Sequence, residues 1–121
     1  MPASGHTREQ LLAMLPPVTR AEFERVRAAT VSHVEANTLS TEFAFLSDAL
    51  ERLAGDLQKG RPPLVAKDYA EAKRVRPATR AGWERALGTI RSRAEAENLA
   101  AQFYAMSELF SLYADRLADT H

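Results

Sequence analysis

Displaced by sixty positions without a gap, the chain falls on itself: residues 17–57 align with 77–117 and fourteen of the forty-one positions are identical. The match opens on Pro17-Val18-Thr19-Arg20 against Pro77-Ala78-Thr79-Arg80. A repeat of this length sets the unit of architecture, because each copy must share a local structure and bury its apolar face against a neighbour. The pattern predicts an all-α protein, a tandem duplication of a three-helix unit packed as one helical bundle. Repeat 1 spans about 7–58, repeat 2 about 67–118, and a Gly/Pro linker at 59–66 joins them within a single helical domain, 1–121. Gly60 suits a left-handed helix stop, and Pro62 and Pro63 prevent the helix from continuing.

Each copy reads as one short helix and two longer ones. Thr7 with Gln10 forms a capping-box pattern ahead of Leu11, Leu12 and Leu15, and the counterpart begins at Asp68 with Tyr69, Ala72 and Val75. The second helix is expected to be capped by Thr19, with Glu22 completing a box and Val18 stapled to Phe23; Ala78 and Trp83 repeat the staple, while Gly82 forfeits half the box. Its core face is Phe23, Val26, Thr30 and Val34, matched by Trp83, Ala86, Ile90 and Ala94. Arg20 with Glu24 and Arg80 with Glu84 stand one turn apart, as surface ion pairs.

The third helix has the firmest periodicity. Leu39, Phe43, Leu46, Leu50, Leu53 and Leu57 step by four and three, and Leu99, Phe103, Met106, Phe110, Tyr113 and Leu117 repeat the pattern. A stripe of that spacing keeps one face on a partner helix, so the third helices are expected to form the central seam. Where the second helix ends is open at this level. The step from Val34 to Leu39 breaks the phase, with Asn37-Thr38 or Asn98 available as caps, which favours two helices, yet no Gly or Pro intervenes and one long helix stays open as the alternative.

Chemistry is sparse. With no cysteine, thiolate and disulfide chemistry are excluded, and the five glycines fall at no phosphate-loop spacing. His33 has only Ala29 and Asn37 one turn away, and Arg93 replaces it in the second copy. Asp48 and Glu51 share a helix face without a third group, and no Glu-x-x-His element of a di-iron bundle occurs. Ser47 and Ser107 hold equivalent places beside the seam and read as close-packing residues. We therefore expect no enzyme, no catalytic residues, no metal and no cofactor.

Two groups of residues invite a partner. Phe45 and Leu112 fall at c and Tyr104 at b of the heptad, outside a two-helix seam, so each needs another surface: the unit's other helices, a second copy, or a partner protein. The zero formal charge conceals blocks of minus three over 1–58, plus seven over 59–93 and minus four over 94–121. Arg74, Arg76, Arg80, Arg85, Arg91 and Arg93 are the candidate contacts for an acidic partner or nucleic acid, with a helix-turn-helix spacing over 69–93. A reading helix also needs amides or hydroxyls, and only Thr89 and Ser92 supply them.

The expected function is a non-catalytic helical interaction protein, a small adaptor, inhibitor or regulator acting through helix surfaces on a protein partner or on itself, with homodimerisation in view. The alternative is a nucleic-acid-associated regulator using the basic segment 59–93. Neither a small-molecule substrate nor a membrane is expected. The opening residues lack the basic and apolar run of a targeting segment, and a cytoplasmic location is expected.

Overall fold

The computed structural model describes residues 6–60 and 67–119. All of its regular structure is helical: α1 (Arg8–Ala13), α2 (Pro17–Ala29), α3 (His33–Gln58), α4 (Ala70–Lys73), α5 (Pro77–Leu87) and α6 (Arg93–Asp119). The starts of α2 and α5, and of α3 and α6, are separated by the same sixty residues as the aligned sequence. No helix among the described residues is long and apolar enough to cross a membrane.

Local chemistry explains the starts and stops. Thr7 accepts from the Gln10 amide while the Gln10 side chain accepts from the Thr7 amide, closing the expected capping box. Pro17 and Pro77 open α2 and α5, where the missing N–H costs nothing. Thr19 therefore does not cap α2, and the expected box with Glu22 is not formed. Val18 is 84% exposed, so the staple to Phe23 is absent as well. With the helix beginning three residues earlier than a Thr19 cap requires, Thr19 turns to a tertiary partner and Val18 faces water.

The second and third helices are separate, but neither Asn37-Thr38 nor Asn98 divides them. The break comes at Thr30, which is extended (ψ 114°), and Ser32 caps α3 by accepting from the Glu35 amide. This also corrects the predicted core face: Phe23, Thr30, Trp83 and Ile90 are buried, whereas Val34 and Ala94 lie in the first turn of the next helix and are exposed. Of the expected ion pairs, Arg80–Glu84 forms at 2.9 Å. Glu24 pairs with Arg27 instead of Arg20. Gly60 ends the first half at φ 85°, the left-handed conformation that glycine adopts without a Cβ clash; Pro62 and Pro63 lie outside the described residues.

α3 and α6 pack side by side as an antiparallel pair and form the most extensive interface of the molecule. Ser47 Oγ donates to the Ala100 carbonyl at 2.8 Å, and Ser107 Oγ donates to that of Ser40 at 2.7 Å. A serine hydroxyl reaches a facing backbone only when two helices approach closely, which small residues such as Ala36, Ala96 and Ala100 permit. Along the seam Leu46, Leu50, Leu53 and Phe110 are fully buried, each contributing about 1.5–3 kcal/mol. Phe43 stacks on Phe110 at 5.6 Å and meets its counterpart Phe103 at 5.7 Å.

The remaining helices cross over. α1 and α2 pack on α6, and α4 and α5 pack on α3. The edge-on contact of Phe23 with Phe110, at 5.0 Å, is one such crossing. Tyr113 adds another, donating its phenol to the Thr30 carbonyl at 3.0 Å.

Candidate functional site

A cavity lies where α2 and α5 stand apart over the α3–α6 pair. It is a groove of about 700 Å³ with Leu39, Phe43, Leu99, Phe103 and Met106 in its floor and walls. Val18, Val26 and Ala29 line it from α2, and Ala78, Trp83 and Ala86 from α5. Most of these positions fall in sixty-residue pairs, among them 18 with 78, 26 with 86, 39 with 99 and 43 with 103. The volume lies in the range of binding pockets, and an apolar lining with few polar groups is the usual composition of such sites.

Two polar clusters flank the floor, and they are versions of one arrangement. Thr19 Oγ1 donates to Gln102 Oε1 at 2.8 Å, and Thr79 Oγ1 donates to Glu42 Oε1 at 2.9 Å. Both acceptors are buried. Glu42 also receives the Arg76 backbone N–H at 2.8 Å and the guanidinium at 2.8 and 2.9 Å. Burial opposes the charge on Glu42, but these donors together outweigh it and hold the carboxyl below its ordinary range. At the place equivalent to Arg76 stands Pro16, which offers neither a guanidinium nor an N–H. A buried carboxylate there would have no cation, and the side chain is the neutral Gln102.

The groove rim differs between its walls. On α2, Arg25 pairs with Glu22 at 2.5 Å, and that hydrogen bond is the main cause of the lowered Glu22 carboxyl. On α5 the same two positions are Arg85 and Gly82. The Arg85 guanidinium makes no hydrogen bond or ion pair among the described residues; it lies back toward Gly82, where an added Cβ would stand 3.7 Å from its Nη2.

No family model, curated protein or solved structure matches the chain. The reading of the site therefore rests on its own geometry.

Several of the six candidate arginines are engaged within the molecule. Arg76 bridges Glu35 and Glu42, Arg80 meets Glu84, and Arg93 meets Glu97 at 2.6 Å and Gln58 at 2.7 Å. Arg91 turns back on the Gly88 and Ile90 carbonyls. The guanidinium of Arg74 lies 5.6 Å from the centre of the Phe45 ring.

The three off-seam residues differ in their surroundings. Phe45 and Leu112 are half-buried and pack on the core, Phe45 beneath Arg74 of the other half and Leu112 beside Phe23 and Arg8. Part of the cover of each thus comes from the opposite half of the chain. Tyr104 alone is exposed, at 41%. Burial against its surroundings and the nearby Glu108 carboxylate push its phenol up.

Sequence reasoning missed the groove. Val26, Ala86, Leu39, Phe43, Leu99, Phe103 and Met106 read from the sequence as core positions, since a helix pattern shows which side is apolar and not how far apart two such sides stand. His33 is exposed, and no group of acidic or histidine residues able to hold a metal occurs among the described residues. Asp48 and Glu51 are exposed on α3, as a solvated edge.

Proposed function

We propose that this protein is a non-catalytic helical interaction module, an adaptor, inhibitor or regulator, and that it engages a protein partner through the groove between α2 and α5. The observation that carries this reading is the groove: about 700 Å³ of apolar-lined space bounded by two helices that each bury only part of their surface. Nothing along it pairs a nucleophile with a base, or a carboxylate with a second free carboxylate, so binding accounts for it better than chemistry.

We also read the chain as one domain of two related copies. The support is the pairing of Thr19 with Gln102 against that of Thr79 with Glu42, which exchange under a sixty-residue shift. Such reciprocity is what a twofold assembly of single units leaves behind after its subunits are joined. On this reading the protein is soluble and cytoplasmic.

The competing nucleic-acid reading draws on Arg74, Arg85 and Arg91, whose guanidinium groups form no close ion pair with a carboxylate among the described residues. Retention on a DNA duplex across a salt titration separates the two. Binding through phosphates weakens steeply with salt, whereas an apolar groove interface persists. We expect no salt-sensitive retention, and none that changes when Arg74, Arg85 and Arg91 are replaced by Ala. Steep retention abolished by those replacements would reverse the assignment.

A further inference from the structure

We propose that the occupant of the groove is one amphipathic α-helix of another protein, carrying an acidic residue that meets Arg85. This rests on the groove being the interaction surface, and it names the partner.

Shape argues for a helix. The groove is a trough open to water, since Val18, Ala29, Ala78 and Arg85 on its rim are exposed. Small-molecule sites enclose most of the ligand, but a docked amphipathic helix buries one stripe and leaves its other face wet. The α5 wall is 11 residues long. At 1.5 Å per residue that is about 16 Å, the span of apolar anchors from i to i+7 or i+11.

Charge selects the kind of helix. Arg76 is held by two carboxylates and Arg25 by Glu22, which leaves Arg85 as the rim guanidinium that forms no hydrogen bond or ion pair among the described residues and acts on Glu22 across the groove only at longer range. The reason is a single position, glycine at 82 where the first copy has glutamate at 22. An incoming carboxylate restores on α5 the pairing that α2 supplies from within.

The test uses the full chain and a displayed library of random peptides about sixteen residues long, enough for four helical turns. Enriched peptides are expected to carry apolar residues at i, i+3 or i+4, and i+7, with Asp or Glu at one fixed register. Titration against the single tryptophan, Trp83 in the groove wall, gives the affinity. Gly82→Glu supplies an internal carboxylate and should weaken the selected acidic peptides roughly two- to fivefold, the range of an exposed ion pair. Gly82→Ala should leave them unchanged, and it controls for altered helix stability. Val18→Asp, at an exposed rim site, should weaken every groove peptide. Selection on Arg85→Glu should enrich Lys or Arg at the same register.

Peptides that need the groove but lack helical spacing would remove the helical partner and leave the interaction reading standing. Peptides indifferent to all four variants would overturn both. An unchanged register preference on Arg85→Glu would overturn the acidic contact.

Discussion

Ser40 and Ser107 exchange hydrogen bonds across the central helix pair: Ser40 Oγ donates to the Ser107 carbonyl at 2.8 Å, and Ser107 Oγ returns a bond to the Ser40 carbonyl at 2.7 Å. Sixty residues away in each chain direction the arrangement is half present. Ser47 donates to the Ala100 carbonyl, but Ala100 has no hydroxyl to return.

That asymmetry predicts opposite outcomes for two small substitutions. Ser107→Ala should cost about 0.5–1.5 kcal/mol, one intramolecular hydrogen bond. Ala100→Ser should stabilise by up to about 1 kcal/mol, by installing the missing return bond in a site that is already closely packed. Urea unfolding of both variants checks the signs.

The two buried acceptors should respond oppositely to acid. The folded pKa of Glu42 lies below its ordinary value of 4.5, so its stabilisation is present above that pH and fades as pH falls through the lowered value. Glu42→Gln should therefore destabilise at neutral pH and flatten the loss of stability below pH 4.5. Gln102→Glu places a carboxylate opposite Pro16, with Thr19 as its donor and no cation; a cost of about 3–5 kcal/mol is expected at neutral pH. Because that carboxyl is pushed up, the cost should shrink as pH falls. Urea midpoints at neutral and acid pH separate the two.

Trp83 is fully buried, yet its indole Nε1–H has no acceptor among the described residues. Trp83→Phe gives up some apolar contact and removes an unsatisfied donor that costs about 1–3 kcal/mol. The two should nearly cancel, leaving a change within about 1 kcal/mol, whereas Phe23→Ala at the equivalent site should cost about 3–5 kcal/mol. Thermal melts followed by circular dichroism will show whether the ranking holds.

Gly55 lies within α3, and nothing stands within 4 Å of a Cβ added there. Gly55→Ala should raise stability by about 0.5–1 kcal/mol through the unfolded chain's lost freedom. A fall in the urea midpoint would show a contact that the fold does not display.

The all-helical class and the seam were legible because heptad spacing alone assigns Leu39 through Leu57 and Leu99 through Leu117 to an inner face. The crossover was not. Phe45 and Leu112 visibly need cover, but periodicity cannot tell which half of the chain supplies it when both carry helices of the same pattern. The capping errors have a related cause: Thr19 and Glu22 have the spacing of a box, and Pro17 two residues earlier already starts the helix. The groove escaped for a geometric reason, since periodicity marks which face of α2 and α5 is apolar and not how far apart the two helices stand over Phe43, Phe103 and Met106. The exchange of Glu42 for Gln102 was in the sequence throughout, and it acquires meaning only with Arg76 beside one and Pro16 in the place corresponding to the other.

The central claim is that each half is completed by the other, α1 and α2 closing over α6 while α4 and α5 close over α3. Its most direct measurement is the solution mass and thermal melt of residues 1–60 expressed alone, and then mixed with residues 61–121. Alone, this half should lack a cooperative monomeric transition. Glu42 opposing Pro16 in any self-dimer should keep that dimer weak, and mixing should restore helix content in a one-to-one complex. A monomeric 1–60 fragment with a cooperative melt would contradict the account.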